Sequence, residues 1–403
     1  MSSPVVRHPG ELRWETRLLA VVTATLVALG IATVYGASSL VRSANGIAGG
    51  SYALTQFTGA LVGGILMLVL GRIDYRLLRP LAWPLLLGSL LALVIVVLPF
   101  TPSFIAPRYN GARRWLRLGP LQFQVSELVR LVVIIWCAML ATKKGDQVRQ
   151  FKKGMLPFLF ILGVASALIM LQPNMSMAVL IALLGGIVLF SAGAKIGHFL
   201  LLGLGAVIAG LQLIQRAGYR AERWDKFING AEGTSQIYQS LVGIGSGRLF
   251  GVGFGMGQQK MGYVPYAYSD FIFSAIAEEW GFVGVCLLVL LFGIFVWLGL
   301  RIARTAADPF GQFLAVGLTA MVGVTALMHM AVNLSLMPTT GLTLPFVSYG
   351  RTSLVVSLAG VGILHHPRGR EDAFDGDRSS EQVVMGQPDL AHRASAEQPD
   401  RFV

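Results

Sequence analysis

Ten predominantly apolar stretches, most of them close to 20 residues long, dominate this chain: 16–37, 52–71, 80–100, 125–142, 155–172, 175–193, 196–214, 270–300, 309–337 and 341–366. A run of about 20 apolar residues matches one crossing of a bilayer's hydrocarbon as an α-helix. A lone segment satisfies its own backbone hydrogen bonds there only by being helical. The pattern predicts an all-α integral membrane protein with about ten transmembrane helices. Composition agrees: only 13% of the 403 residues are charged, against about a quarter in soluble chains.

A net charge of +12 would elsewhere suggest nucleic acid, but here the cations sit in short connections beside the spans. Arg7, Arg13 and Arg17 precede the first segment, Arg72, Arg76 and Arg79 follow the second, Lys143, Lys144, Arg149, Lys152 and Lys153 follow the fourth, and Arg301 and Arg304 the eighth. Alternation puts all of these on one side, which the positive-inside bias makes cytoplasmic. Both termini are expected there, with residues 1–15 as a cytoplasmic N-terminus and 16–366 as the membrane domain. Residues 367–403 carry thirteen charges and no helical stripe, and read as a disordered cytoplasmic tail or a docking segment. The first apolar run is long for a secretory signal and is expected to be retained. Cys137 and Cys286 fall inside spans, as small core residues rather than a disulfide or metal pair.

The longest connection, about 215–269 between the seventh and eighth segments, is extracytoplasmic by alternation. It contains Tyr219, Trp224, Tyr238, Lys260 and glycines at 243, 245, 247, 251, 253, 255 and 257. Its aromatic and apolar content predicts an ordered, membrane-hugging loop. The glycines follow no strand, so they are not a dinucleotide fingerprint.

Charge on the extracytoplasmic side runs against the orientation bias and demands a reason. Arg108, Arg113, Arg114 and Arg117 lie within ten residues of one another between the third and fourth segments. Guanidinium forks suit phosphate oxygens, while contact with headgroups or with Glu222 and Asp225 is the plainer alternative. Within the spans, Glu127 and Arg130 are three residues apart and share a helix face. Intramembrane charges mark function by default, and an ion pair that locks helices together is the plainer alternative. Glu278 and Glu279 lie deeper in the eighth segment. Asp270, where the long polar loop turns into an apolar helix, is reachable from water yet walled by lipid. That suits chemistry on a membrane-bound substrate, but Asp is also common in the first turn of helices. His198, His329, His365 and His366 show no metal-ligand spacing.

Three stretches carry a resemblance. One is Gly111-Ala112-Arg113-Arg114-Trp115 continuing to Gln124, Ser126 and Glu127. Another is Tyr238-Gln239-Ser240 with GIGSGRLFGVGFGMGQQK, YSDFIF and Ala277-Glu278-Glu279-Trp280-Gly281. The last is Asn333 followed by MPTTGLTLPFVSYG. With these the chain resembles the SEDS family (shape, elongation, division and sporulation), the FtsW/RodA group, over roughly residues 15–366, leaning towards the FtsW members. It departs from the family pattern at Arg130, where Lys is usual, at Pro173-Asn174-Met175-Ser176, which lacks a usual carboxylate, and at Arg351, where a glycine is usual.

The resemblance implies a peptidoglycan glycosyltransferase that polymerises lipid II into β-1,4 glycan strands at the outer face of the bacterial cytoplasmic membrane, for division or shape. It implies Asp270 as the catalytic residue and matches Glu127 to the family's SEL motif. Candidates for holding the substrate are Arg113, Arg114, Arg117, Lys260, Glu127, Arg130, Gln239, Ser240 and Ser348. A divalent cation, Mg or Mn, is an optional aid, with no carboxylate cluster to announce its site. The implied partners are lipid II, the nascent strand, membrane lipids and a class B penicillin-binding protein, whose membrane helix is expected on the eighth and ninth segments. A lipid II flippase and a non-catalytic scaffold are the rival readings.

Overall fold

The structure, a computed structural model, describes residues 9–43, 51–109, 111–119, 121–215, 224–225, 227–228, 236–258 and 268–365. Lys260 and the tail 367–403 lie outside the described residues.

Eleven long helical elements run through the described chain: α1 (Pro9–Ser43), α2 (Ser51–Leu70), α3 (Leu78–Val97), α4 (Val125–Lys144), α5 (Leu156–Met170), α6 (Met175–Ser191), α7 (Ile196–Gln215), α8 (Gln236–Ser246), α9 (Ile272–Arg304), α10 (Pro309–Asn333) and α11 (Arg351–Leu364). Seven are long and apolar enough to cross a membrane; α6, the described part of α7 and α11 are shorter apolar helices. Together these ten coincide with the ten apolar runs, and the fold is that of an all-α membrane protein. α1 begins at Pro9, inside the expected N-terminal segment 1–15. The only strands among the described residues form two short hairpins between α3 and α4: β1 (Arg108–Tyr109) with β2 (Ala112–Arg113), and β3 (Trp115–Leu118) with β4 (Leu121–Gln124).

Burial separates the centre from the wall. The spanning window is 89% buried around α4 and 72% around α10, but only 22% around α2. α4 forms the core, with Val125 to Ala141 buried except Leu128, the Glu127 and Arg130 pair included. α10 and α6 pack on it, α3 covers another side, α11 lies on α2, and α9 lies against α10 and α1. Hydrocarbon offers apolar side chains no less than a protein core does, so close packing and polar links join such helices.

Two expected spans are shorter than read. The ninth, expected to Met337, ends at Asn333, and the tenth, expected from Gly341, begins only at Arg351. The chain between is irregular, with positive φ at Ser335, Gly341 and Phe346. Pro338, Gly341 and Pro345 deny it a helix ladder. α9 also breaks, at Gly281 (φ 67°, ψ −164°), into a buried half-helix and a long spanning half. The connection after α7 is not simply a loop, because it contains α8, which packs on α9.

The basic connections gather at one end. There Glu15 of α1 pairs with Arg301 of α9, and Tyr75 donates to Asp308 Oδ1 at 2.7 Å, the same oxygen that caps α10 through Gly311 N at 2.9 Å.

Candidate functional site

A cavity of about 1310 Å³ opens at the opposite end, where the hairpins, the α5–α6 turn, the irregular segment 334–350 and the start of α9 meet. Cavities for drug-sized ligands span about 300–1,000 Å³, so this one suits a larger, extended molecule. Four acidic or basic side chains line it: Arg114, Glu127, Asp270 and Arg351.

Asp270 is placed by its backbone. Three successive carbonyls are held from three directions: Tyr268 O accepts from Tyr349 N at 3.0 Å, Ser269 O from Ser348 Oγ at 2.7 Å, and Asp270 O from Asn333 Nδ2 at 3.2 Å. Each clamp is itself fixed. Ser348 Oγ accepts from Leu344 N at 2.8 Å, and Gln56 of α2 bonds Ser348 O at 2.9 Å and Gly350 N at 3.3 Å. Fully buried Asn333 also accepts from Ser274 N at 3.2 Å and donates to His329 O at 2.9 Å. Rings of Tyr52 and Tyr268 stack at 4.5 Å with Tyr349 edge-on. The carboxylate accepts from Ser269 Oγ at 3.0 Å and faces Gly341, whose Cβ would come 3.7 Å from Oδ2. Irregular backbone at such depth is tolerated where it is buried in protein or lines a cavity, and Met337 to Thr343 line this one.

The arginines divide. Arg114 lines the cavity and is anchored to the α5–α6 turn, donating from Nε to Gln172 O at 3.0 Å and from Nη2 to Pro173 O at 2.7 Å. Arg113 turns to the end of α3, donating to Leu98 O at 2.9 Å and Pro99 O at 3.3 Å. Arg117 is exposed beside Tyr109 and Gln122, each at 3.3 Å. Neither Arg113 nor Arg117 lines the cavity. Arg351, which the arginine cluster did not include, enters the cavity wall from the start of α11, with one long contact of 3.5 Å to Gln122 O.

Glu127 and Arg130 pair as their spacing predicts, at 2.9 Å and almost wholly buried. Arg130 Nη2 also reaches Ser353 Oγ at 3.3 Å and Ser357 Oγ at 3.1 Å, tying α4 to α11. Glu127 contributes to the cavity wall while Arg130 stands behind it. Breaking a buried pair by removing one partner costs about 3–5 kcal/mol. Arg130→Ala is therefore expected to lower thermal stability sharply, and Arg130→Lys much less, in unfolding scans of detergent-solubilised protein. Equal melting of the two variants would deny the pair that role.

Ser240 is buried on α8 and donates to Asn333 O at 3.1 Å, one step removed from Asp270. Gln239, half-buried, lies off the cavity, whereas Gln236 one turn earlier lines it, together with Trp224, Thr339 and Thr340. Glu278 and Glu279 are buried in the half-helix of α9, away from the cavity. Among the described residues no three of His, Cys, Asp and Glu gather as metal ligands.

Comparison with known proteins gives a consistent result. A family profile described as "Cell cycle protein" (FtsW, RodA, SpoVE) matches residues 16–368. A probable peptidoglycan glycosyltransferase FtsW of Trichlorobacter lovleyi is 39% identical over 364 residues, covering 89% of this chain and 94% of that protein. Stage V sporulation protein E of Bacillus subtilis is 35% identical, covering 86% and 95%. Among solved structures, a chain of a peptidoglycan synthase complex that coordinates polymerization and crosslinking aligns with a TM-score of 0.72 at 28% identity, over 87% of this chain and 97% of that one. The rod shape determining protein RodA of Thermus thermophilus aligns at 0.64 and 30% identity, over 87% and 96%.

Proposed function

The chain belongs to the FtsW/RodA/SpoVE family of cell-cycle proteins, and from that premise we propose that it is a peptidoglycan glycosyltransferase joining lipid II units into β-1,4 glycan strands. The observation that carries this reading is the pairing, in one cavity wall, of a backbone-clamped carboxylate, Asp270, with two guanidinium groups, Arg114 and Arg351.

The reaction needs two kinds of help. The acceptor sugar hydroxyl is a weak nucleophile, and a carboxylate within hydrogen-bond reach takes its proton as the new glycosidic bond forms. Asp270 has that role. The bond between the donor's anomeric carbon and its phosphate oxygen breaks, and the electron pair leaves on the polyprenyl pyrophosphate. Preorganised cations offset charge that develops on a leaving group, and Arg114 and Arg351, both in the cavity wall, take this part. Glu127 with Arg130, and Ser240 and Ser348 through their contacts, shape and hold the wall. No carboxylate cluster among the described residues offers a divalent ion a site; Mg²⁺ or Mn²⁺, held mainly by the substrate's own pyrophosphate, would supply further charge neutralisation.

The Arg351 guanidinium makes a long hydrogen bond to Gln122 O, while its aliphatic stem rests on Gly59 of α2, so a substitution that keeps the stem removes the charge with little structural cost. Arg351→Gln is expected to lower lipid II turnover about tenfold or more, as loss of a transition-state charge partner does, with unchanged thermal unfolding. Full turnover in this variant would remove Arg351 from the leaving-group role.

The orientation bias makes the basic end cytoplasmic, so the cavity faces the outside of the bacterial inner membrane and both termini lie inside. The partner is a class B penicillin-binding protein, which would crosslink the new strand. The lipid-facing side of α9, with Leu287, Leu290 and Trp297 exposed, offers its membrane helix more apolar surface than the largely buried α10.

A further inference from the structure

At the break in α9 the helix loses two of its own hydrogen bonds, since Phe282 N and Val283 N no longer reach the carbonyls of Glu278 and Glu279 four residues back. The glycine-rich segment after α8 replaces both sides of each lost bond. Phe282 N donates to Arg248 O at 2.8 Å and Val283 N to Leu249 O at 3.1 Å, while Glu278 O accepts from Val252 N at 2.9 Å and Glu279 O from Gly253 N at 3.1 Å. Gln258 N adds a bond of 2.7 Å to the buried carboxylate of Glu278. The loop is thus spliced into the helix through its backbone, with its polar groups turned inward.

Its side chains turn the other way. Leu249, Phe250 and Met256 are 61%, 79% and 70% exposed, and Val252 and Phe254 are exposed beside them. Phe254 sits edge-on to Trp280, with ring centroids 6.4 Å apart, and Phe282 and Val283 extend the same patch along α9. A contiguous exposed apolar patch of this kind is not left facing water without a reason.

The length of α9 says what faces it. At the basic end Arg301 lies over the rings of Trp14 and Trp297, at 5.2 Å and 5.4 Å, and pairs with Glu15. Arginine with tryptophan marks a membrane–water boundary. The twenty residue steps from Gly281 to Arg301 rise about 30 Å as a helix, and the hydrocarbon core of a bilayer is about 30 Å thick. The break at Gly281 therefore stands at the other boundary, on the cavity side, and the loop with it. Non-helical backbone is admitted there because protein, not lipid, satisfies its polar groups.

We propose that residues 248–256 form a lipid-seated loop: Leu249, Phe250, Val252, Phe254 and Met256 enter the leaflet on the cavity side, while the loop backbone holds the half-helix that leads back to Asp270. The surface bound is the bilayer itself, and the inference stands whether or not the chain polymerises lipid II.

The test uses the full chain carrying Cys286→Ser, with Cys137 left in place because it is buried. A fluorophore is attached at Phe250→Cys, or at Leu290→Cys as a mid-span reference, and the protein is reconstituted in phosphatidylcholine–phosphatidylglycerol vesicles. Quenching is compared between nitroxide lipids labelled near the headgroup, nitroxide lipids labelled near the chain end, and aqueous iodide. Position 250 is expected to be quenched severalfold more by the shallow nitroxide than by iodide, and position 290 most by the deep one. Stronger quenching by iodide at 250 would put the loop in water. Protection from every quencher would mean that protein, such as a second copy of the chain, covers it. Either result overturns the proposal, and Met256→Cys reads the same loop independently should the first variant fold poorly.

Discussion

Replacing Asp270 by Asn is expected to lower lipid II polymerisation by about two to four orders of magnitude, the usual contribution of a general base, while the protein unfolds at an unchanged temperature. Asparagine keeps the shape of the side chain, and the three carbonyl clamps from Tyr349, Ser348 and Asn333 act on the backbone, so the local structure survives. What is lost is the ability to accept the acceptor hydroxyl's proton. A substitution within the substrate clamp would instead weaken charge stabilisation. A variant that retained wild-type turnover would remove Asp270 from proton transfer, and one that lost turnover together with its fold would say nothing special about the carboxylate. Pairing the turnover assay with a thermal scan separates these results.

The second large effect is structural. Gly251→Ala is expected to destabilise the protein by about 3 kcal/mol or more, summing backbone strain at positive φ with a steric clash. A Cβ at Gly251 (φ +80°) would lie 2.1 Å from Glu279 O and 2.4 Å from its carbonyl carbon, inside the splice that repairs the break in α9. Gly255 supplies the control: its φ is +77°, but nothing lies within 4 Å of its added Cβ. Gly255→Ala therefore suffers only the conformational strain, about 1–2 kcal/mol. Thermal unfolding of both variants distinguishes a required close approach from a generic need for glycine. Equal losses would mean that the backbone contact with Glu279 is not what fixes position 251.

That pair also marks a limit of sequence reading. The repeated glycines between 243 and 257 stand out in the sequence, but the reason for Gly247, Gly251 and Gly257 lies in a half-helix that begins at Ile272, and no local pattern states that approach. The spans themselves were readable, because a bilayer demands apolar runs of a set length. The stretch from Gly341 to Gly350 passed for helix for the same reason: Leu342, Leu344, Phe346 and Val347 look like membrane-facing residues, yet all four are buried within the protein. Pro338, Gly341 and Pro345 were the signals against a helix there, and hydrophobicity outweighed them.

The site was readable in parts. Spacing alone paired Glu127 with Arg130, since three residues is one helical turn. Four arginines close together in sequence suggested one clamp, but Arg113, at the end of β2, turns to the end of α3, and Arg114, between the two hairpins, turns to the α5–α6 turn. Arg351 reaches the cavity only because α11 returns beside α2 and α4, a tertiary fact. Asn333 was visible as the first residue of a motif, while its grip on Asp270 depends on α10 ending level with the start of α9.

The most direct measurement purifies the chain with a class B penicillin-binding partner whose transpeptidase serine has been removed, supplies labelled lipid II, and separates the products on gels. Glycan ladders from the wild-type chain, and none from Asp270→Ala that is equally well folded, are the predicted result. Ladders of equal yield from both would place the chemistry elsewhere. Transfer of lipid II across vesicle membranes by both proteins, without polymer from either, would contradict the polymerase account in favour of a flippase.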